Sequence, residues 1–400
     1  MTALLALLLC ILLVLSFPMF LVLLLPAIAV LVIYFPHLPT FIVAQRMISG
    51  VSPFVLVAVP LFIFMAEIIK KGESADRLIN LVLKIVGHTP GGLAQAYTGS
   101  CILFGAVSGS TQATVAAIGG TMYPMLLKKG YSRAFTLALI VNSSDVAILI
   151  PPSVVMIIYG VVTGASVGEL FISGIGPGIA LGVAFMVYTY FYARVKQLPL
   201  ENKASLREIL HAVKESLWAF GFPVIIIGGI YTGAISPTEA AATAAVYALF
   251  VETVVYRKVK LRDIPGLALQ TGRITGVIYI IVAAATALSW MITVARIPYM
   301  LKMALMGPNP SAIEVILWCN LFFFVALMFV SMAAGGDPVH LGTLITLNAA
   351  IGSATPPFGV DLFTACAIFN VSLKDVVRGV FPFLGLGLCV LLLLTFFPGL

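Results

Sequence analysis

Charged residues are scarce in this sequence. Only 9% of its 400 residues are Asp, Glu, Lys or Arg, whereas 61% are hydrophobic, and the mean hydropathy is +1.15. A soluble domain carries roughly a quarter charged residues, so this composition excludes a soluble globular fold. Apolar runs of membrane-spanning length recur along the chain. The sequence therefore predicts an all-α polytopic membrane protein.

Side chains that bind metals or perform catalysis are also few. The four histidines form no ligand cluster, and the five cysteines lie in apolar segments without C-x-x-C spacing. None of the histidines has the spacing that would pair it with a serine nucleophile. We therefore predict no resident cofactor and no enzymatic activity. The net charge of +7 does not indicate nucleic-acid binding, because the basic residues are gathered in short loops between apolar segments.

The basic residues set the predicted orientation in the bilayer. By the positive-inside rule their clusters face the cytoplasm, so an even number of crossings separates one cluster from the next. The opening segment MTALLALLLCILLVLS lacks a basic region and a cleavage site, and we expect it to be an uncleaved span. The clusters are Lys70, Lys71, Arg77 and Lys84; Lys128, Lys129 and Arg133; Arg194, Lys196, Lys203 and Arg207; and Arg257, Lys258, Lys260 and Arg262.

A polar stretch interrupts the apolar sequence between the first two clusters. Residues 105–120 read GAVSGSTQATVAAIGG. Because both flanking clusters are expected in the cytoplasm, we interpret 91–127 as a re-entrant hairpin, with arms near 92–106 and 112–127 that meet at SGST. Non-helical backbone at membrane depth needs protein or a watery cavity around it. The alternative is two full spans that pack through small residues.

The segment after this stretch recurs near the carboxyl terminus. GYSRAFTLALIVNSSDVAILIPPS (130–153) matches GDPVHLGTLITLNAAIGSATPPFG (336–359), since both run 12 positions from Gly to Asn and then reach a Pro-Pro pair. A capped helix that opens at Ser166 or Ser372 follows each pair. Interrupted segments in corresponding halves indicate the inverted repeats of a secondary transporter, with its binding site near the membrane midplane.

The diprolines predict the chemistry of this site. Pro151 and Pro356 donate no backbone hydrogen bond and break their helices, which frees nearby carbonyl oxygens. Carbonyl and hydroxyl oxygens suit Na⁺, and the amino-terminal ends of half-helices attract an anionic group. We expect the coupling ion, Na⁺, at backbone and hydroxyl oxygens near Ser108, Ser110, Asn142 and Thr355.

Two acidic residues lie beside the breaks. A charge at the centre of a spanning helix costs roughly 2.5–3.5 kcal/mol, so Asp145 and Asp361 must be protonated, paired or hydrated. A cation-binding or proton-carrying role and a structural hydrogen-bonding role both stay open for them. The full predicted ion- and substrate-binding set is Ser108, Gly109, Ser110, Thr111, Thr114, Asn142, Ser143, Ser144, Asp145, Pro151, Pro152, Asn348, Gly352, Ser353, Thr355, Pro356, Pro357 and Asp361.

The organisation of the chain follows from these segments. Residues 204–218 alternate charged and apolar side chains at helical spacing, which predicts an interfacial helix at the cytoplasmic surface. We divide the chain into N-terminal scaffold spans (1–84), a first transport repeat (85–200), the interfacial helix with central scaffold spans (201–262), a second-half scaffold span with an outer connection (263–311), and a second transport repeat (312–400).

Several motifs resemble the large membrane subunit, DctM-like, of tripartite ATP-independent periplasmic (TRAP) transporters. They are AVPLFIFMAEIIKKG, GHTPGGLAQA, FGAVSGSTQATVAAIGGTMYPMLLKKGYSR, ILIPPSVVMIIYGVVTGASVGELFISGIGPG, GGIYTGAISPTEAAATAAVYAL and IGSATPPFGVDLF. The resemblance covers almost the whole chain. It implies a Na⁺-coupled symporter in the bacterial inner (cytoplasmic) membrane that imports a small organic acid by an elevator mechanism. It also implies two partners, a periplasmic substrate-binding protein and a small four-span membrane subunit on a separate chain.

The chain departs from the family pattern in two places. Ser144 and Asp145 stand where the family has a small Ala-Gly or Gly-Thr pair before ILIPPS. Residues 312–334 are about 20 residues short for a second hairpin and could be a shortened re-entrant element or a single span. Lys374 and Arg378 favour the re-entrant element, which leaves them cytoplasmic. An ion or solute channel with Gly-rich re-entrant segments is the alternative function.

Overall fold

The computed structural model describes residues 1–15, 17–297, 299–300, 303, 337–356 and 359–397. Within these residues every regular element is helical, as the sequence predicts. The first eleven helices are α1 Thr2–Val14, α2 Met19–Tyr34, α3 Phe41–Val51, α4 Ala58–Lys71, α5 Ser74–Val86, α6 Gly92–Ser108, α7 Thr111–Thr114, α8 Gly120–Lys128, α9 Arg133–Ser144, α10 Val154–Thr163 and α11 Val167–Val195. The others are α12 Leu206–Pro223, α13 Gly229–Tyr231, α14 Pro237–Phe250, α15 Ile264–Val294, α16 Pro338–Ser353, α17 Val360–Phe369 and α18 Leu373–Phe396.

Five helical stretches among the described residues are long and apolar enough to cross a bilayer. They are Val167–Val195, Leu206–Tyr231, Pro237–Val255, Leu261–Val294 and Leu373–Phe396. A sixth candidate joins α3 to Phe54–Lys71 across a bend of 61°. Apolar side chains on their outer faces, such as Val183, Phe191 and Val246, are exposed, as expected for surfaces that meet lipid. The chain is a multi-pass membrane protein.

Helices α1, α2, α3 and the second half of α15 share a hydrophobic core of their own. Leu5, Val30 and Leu31 pack there against Ala287 and Met291. The other core spans the rest of the described helices and includes both diproline regions. Helices α4 and α5, which the predicted N-terminal scaffold (1–84) also includes, belong to this larger core, and the predicted domain boundaries stay predictions.

The predicted interfacial helix is not a separate element. Helix α12 begins at Leu206, where Ser205 and Glu208 form a capping box, and continues without a break through a π-helical turn to Tyr231. Pro223 is tolerated because the π turn Val224–Gly228 directly after it re-forms the backbone hydrogen bonds. The amphipathic segment 204–218 is therefore the first part of a long helix that packs against α5.

A buried glutamate ties this central region to α5. Glu252 lies in a second π turn, Val251–Val255, and is fully buried. Its carboxylate accepts bonds from Glu73 N (2.9 Å), Ser74 N (3.1 Å) and Ser74 Oγ (2.5 Å). It thus caps the first turn of α5 from another helix, where orphan N–H groups need acceptors.

The two diproline segments have the same succession of elements. Each has a first half-helix, a break, a ten-residue second half-helix (α10 or α17) and a long closing helix (α11 or α18). The second half-helices end at left-handed residues, Gly164 (φ +77°) and Asn370 (φ +50°), and the closing helices are capped by Ser166 and Ser372. Packing is reciprocal, since α9 contacts α18 and α16 contacts α11. The predicted repeat is therefore also a structural one.

Ion pairs join the basic clusters at one end of the molecule. Lys71 Nζ lies 3.0 Å from Asp263 Oδ1, Lys84 Nζ 3.3 Å from Glu208 Oε1, and Lys129 Nζ 2.7 Å from Glu201 Oε1. These pairs connect all four clusters, as the positive-inside rule predicts. Exposed ion pairs contribute little to stability. Here they show that the four basic clusters lie at the same end of the molecule.

The two repeats run in opposite directions. Helix α9 starts at the basic end with Arg133, whose guanidinium lies 3.7 Å from Asp375 at the start of α18. Helix α16 starts instead beside the far part of α10, where Tyr159 OH donates to Pro338 O at 2.8 Å. The start of α18 at the basic end agrees with the side predicted from Lys374 and Arg378. Residues 312–334, the predicted second hairpin, lie outside the described residues.

Candidate transport site

The polar stretch of the first repeat forms a helical hairpin. Helix α6 ends at Ser108, Gly109 adopts a left-handed conformation (φ +58°), and Ser110 caps α7 by accepting from Ala113 N. The chain then continues through a π turn, Val115–Gly119, into α8. Glycine is required at position 109 for two reasons. Its positive φ favours glycine, and a Cβ there would collide with the carbonyl oxygen of Pro152. The tip of the hairpin therefore rests directly on the first diproline break.

The first break follows a tightening of α9. The helix ends at Ser144, a 3₁₀ turn covers Asp145–Ile148, and the chain stays non-helical to Ser153, which caps α10. The Pro151–Pro152 peptide bond is cis. Arm α6 packs closely on this region, since a Cβ at Gly105 would lie 2.7 Å from Ala147 Cα. The predicted interruption at the diproline is thus present and is covered by the hairpin.

The second break occupies the corresponding place in the other repeat. Helix α16 ends at Ser353, and Thr355 Oγ1 donates back to Ile351 O at 2.6 Å. Gly359 is the N-cap of α17, and Gly359 N donates to Thr355 O at 2.9 Å. Gly352 is exposed and Ser353 is half-buried, so this break has an open side. Pro356 lies within it, and Pro357 lies outside the described residues.

Two hydrogen bonds link the repeats at the hairpin tip. Thr111 Oγ1 donates to Asp361 Oδ1 at 2.9 Å across 250 positions of sequence, and Ser353 Oγ donates to Asp145 Oδ1 at 2.5 Å across 208. Asp145 and Asp361 are thus each bonded by a hydroxyl group of the opposite repeat, and the two carboxyl groups are electrostatic neighbours. The tip, the first break and the second repeat therefore meet around one pair of acids.

The hydroxyl groups of the tip face one another. Ser108 Oγ lies 3.3 Å from Thr114 Oγ1, and Thr114 Oγ1 donates to Ser110 O at 2.8 Å. Ser108 and Thr114 are buried, whereas Ser110 is half-buried and the neighbouring Gln112 is exposed. These groups gather hydroxyl and carbonyl oxygens at the end of the hairpin.

Other predicted residues serve different contacts. Ser143 Oγ lies 2.9 Å from Thr98 Oγ1, and Ser144 Oγ lies 2.8 Å from the hydroxyl of Tyr97, so both serines face arm α6 rather than the tip. Tyr97 and Thr98 are not among the residues that the sequence predicts. Their positions in the apolar arm α6 look in the sequence like ordinary core positions, so no local signal could have found them.

The two asparagines of the repeats are equivalent in detail. Asn142 Nδ2 donates to Ala138 O at 2.8 Å, and Asn348 Nδ2 donates to Leu344 O at 3.1 Å. Each amide thus bonds the carbonyl four residues earlier, just before the break of its own helix. Both residues are buried. The matched geometry supports the alignment of 130–153 with 336–359.

This architecture defines a class of protein. A multi-pass membrane protein whose two oppositely directed repeats bring broken helices and a hairpin tip to a shared polar site has the construction of a secondary transporter. The chain matches the family described as "Tripartite ATP-independent periplasmic transporter, DctM component" over residues 6–335 and 327–400. The protein therefore belongs to the DctM family, the large permease subunits of TRAP transporters, and it is not an enzyme.

Individual relatives agree with this assignment. The ectoine TRAP transporter large permease protein of Halomonas elongata is 50% identical over 370 residues, which cover 88% of this chain and 87% of the relative. The ectoine/5-hydroxyectoine large permease protein of Ruegeria pomeroyi is 47% identical over 405 residues (97% and 95%). The C4-dicarboxylate large permease protein of Pseudomonas aeruginosa is 38% identical over 377 residues (89% and 87%). Permeases of this family work with a small membrane subunit and a periplasmic binding protein.

Proposed function

We propose that this chain is the large subunit of a Na⁺-coupled symporter of the bacterial inner membrane. A periplasmic binding protein would deliver a small organic acid, and a four-span small subunit would complete the membrane complex. The observation that carries the proposal is the pair of hydrogen bonds, Thr111 to Asp361 and Ser353 to Asp145, which join broken segments of opposite repeats at one hairpin tip.

Oxygen chemistry supports Na⁺ as the coupling ion. The tip offers hydroxyl and carbonyl oxygens at Ser108, Ser110 and Thr114, and the second break offers Thr355. Hard oxygen ligands suit Na⁺, whereas transition metals prefer imidazole and thiolate groups. Among the described residues no group of three or more His, Cys, Asp or Glu side chains could hold such a metal.

A gap beside the first repeat supports an elevator movement. A cavity of about 750 Å³ separates α10, at Ile158 and Val161, from the scaffold helices α3 and α15, at Ser49 and Thr286. Because this cavity lies between them, α10 is not tightly packed on the scaffold there. Most of the lining of the cavity is apolar. Loose apolar contact would let the repeats slide as a body along α3 and α15 with little loss of packing.

The relatives indicate which solutes to test. They are named for ectoine, for C4-dicarboxylates and for 2,3-diketo-L-gulonate. These solutes are small and carry a carboxylate, whereas a further relative is named for isethionate, a small sulfonate. We accordingly propose a small carboxylate-bearing solute, with dicarboxylates, keto acids, sugar acids and ectoine-like compounds as the candidates for the uptake assay.

Reconstitution tests the proposal. The chain is purified with its small subunit, placed in liposomes and supplied with the binding protein, and uptake of labelled candidate solutes is followed with an inward Na⁺ or K⁺ gradient. We expect saturable uptake with Na⁺ only. Uptake that does not saturate and ignores the Na⁺ gradient would make the chain a channel.

Variants then test the site itself. Ser110→Ala or Asn142→Ala should abolish Na⁺-driven uptake without loss of membrane insertion, because each removes an oxygen near the tip or the first break. Ser52→Ala is the matched control, since its exposed hydroxyl bonds Ile48 O at the end of α3, away from both breaks. Unchanged uptake in the first two variants would move the site elsewhere.

A further inference from the structure

The acid pair at the hairpin tip is unusually short of positive partners. Asp145 is 3% exposed and Asp361 is fully buried. Within the described part of the chain, no Lys, Arg or His side chain forms an ion pair with either carboxylate. Two buried carboxylates side by side repel each other strongly in a low-dielectric site. A positively charged ligand between them would remove that repulsion.

One carboxylate oxygen of the pair also lacks a donor within the part of the chain that the structure describes. Thr111 satisfies Asp361 Oδ1, but Asp361 Oδ2 is buried and has no hydrogen-bond partner among the described residues. Ser353 Oγ already bonds Asp145 Oδ1 and Ala350 O. Buried polar atoms in native proteins are normally satisfied, so a proton shared with Asp145, a bound cation or the donor of a ligand must satisfy this oxygen. A ligand group that brings both a positive charge and N–H donors would neutralise the pair and satisfy this oxygen at once.

These requirements discriminate between solutes. A dicarboxylate brings two negative charges and no donor, so both of its ends would be repelled by the acid pair. A bare metal ion would coordinate Asp361 Oδ2 directly, and the dependence of uptake on the Na⁺ concentration separates that case below. An amidinium group brings a delocalised positive charge and two N–H donors in one plane, which matches two adjacent carboxylates as an arginine fork matches one. Ser353, which bonds Asp145, is only half-buried, and the preceding Gly352 is exposed, so the second break leaves this part of the site partly open.

We propose that Asp145 and Asp361 form the recognition site for the cationic group of a zwitterionic solute, with one N–H donating to Asp361 Oδ2 and another to the Asp145 carboxylate. The solute's own carboxylate would lie away from the acid pair. This inference rests on the proposed function, because it assigns the substrate class of the same transport site.

Ligand binding to the wild-type complex is the first test. The detergent-solubilised permease complex is heated with ectoine, a cyclic amidinium carboxylate, with succinate, or with glycine betaine, whose quaternary ammonium has no N–H. We expect ectoine to raise the temperature of half-denaturation in NaCl and the other two to leave it unchanged. Stabilisation by succinate, or equal stabilisation by betaine and ectoine, would overturn the proposal. No variant is needed, so a folding defect cannot obscure the result.

Isosteric variants are the second test. Asp361→Asn and Asp145→Asn keep the size of the side chain, and Asn retains an oxygen for Thr111 or Ser353. We expect the half-saturating ectoine concentration for uptake to rise about 30-fold or more, as on loss of one partner of a buried charged bond. The half-saturating Na⁺ concentration should stay within about twofold. Asp375→Asn, which removes a half-exposed carboxylate at the other end of the same repeat, is the charge-matched control.

The outcomes separate this inference from the proposed function. If the wild-type complex shows no Na⁺-driven uptake of any candidate solute, the proposed function fails. If wild-type uptake is Na⁺-driven but the Asn variants keep their ectoine dependence, only the inference fails. A rise in the half-saturating Na⁺ concentration with unchanged ectoine dependence would make the pair a Na⁺ site and would equally overturn the inference.

Discussion

Gly109→Ala is the substitution for which the structure predicts the sharpest effect. The residue has φ +58°, and a Cβ would collide with the carbonyl oxygen of Pro152, a backbone atom that cannot rotate away. A left-handed alanine costs about 1–2 kcal/mol, and relief of a buried overlap typically costs about 1–3 kcal/mol. We therefore expect a total destabilisation of about 2–5 kcal/mol. The steric overlap can be relieved only if the hairpin tip moves away from the first break. Because this movement displaces the groups of the transport site, uptake should fall at least about tenfold.

Substitutions at two other glycines are controls that separate the backbone strain from the steric collision. Gly164 has φ +77°, and a Cβ added there would meet nothing within 4 Å, so Gly164→Ala carries only the backbone strain. Gly120 is helical and equally open, so Gly120→Ala carries neither and could stabilise α8 by up to about 1 kcal/mol. The variants are heated in detergent, and the temperature at which half of the monodisperse protein is lost is measured. This temperature should be highest for Gly120→Ala, lower for Gly164→Ala and lowest for Gly109→Ala. Equal values and equal uptake for the Gly109 and Gly164 variants would refute the reasoning.

Three further predictions concern stability and orientation. Glu252→Ala should lower stability by about 2–4 kcal/mol, because it leaves the buried donors at the start of α5 without their acceptor, whereas Glu252→Gln should lose clearly less in the same thermal assay. Tyr97→Phe should lower stability by about 1–2 kcal/mol, because it removes a buried hydroxyl that bonds both Ile140 O and Ser144 Oγ, and a loss no greater than experimental error would contradict these bonds. In a cysteine-free background, Arg133→Cys and Lys374→Cys should react with an impermeant maleimide from the cytoplasmic side only, and labelling from opposite sides would contradict the shared end.

Much of the architecture could be predicted because its signals are local. Gly109 and Ser110 end one helix and cap the next, which the SGST sequence indicates through glycine and hydroxyl residues. The diproline breaks follow from the missing N–H groups of proline. The common end of the basic clusters follows from the positive-inside rule, which needs only the position of Lys and Arg along the chain.

The site could be predicted only in part, because helical geometry and long-range packing decide it. The sequence places residues 142–145 side by side and so predicts one binding surface, but successive helical residues point about 100° apart. Ser143 and Ser144 accordingly bond arm α6, while Asp145 bonds Ser353 of the other repeat. No local pattern indicates that Asp145 and Asp361 share a site, since that contact depends on how two distant repeats pack.

Reciprocal packing explains how both breaks can persist in the membrane. An unwound segment has unpaired backbone groups, which lipid cannot satisfy. Here the first break is covered by the hairpin through Pro152 and Gly109, and it is tied to the second repeat through Ser353. The second break is tied back through Thr111. Each repeat therefore supplies contacts that the other repeat's break requires, and neither half alone should hold its unwound segment in the bilayer. The oppositely directed arrangement follows from this requirement, because it places the two breaks at the same depth, where one hairpin tip can reach both.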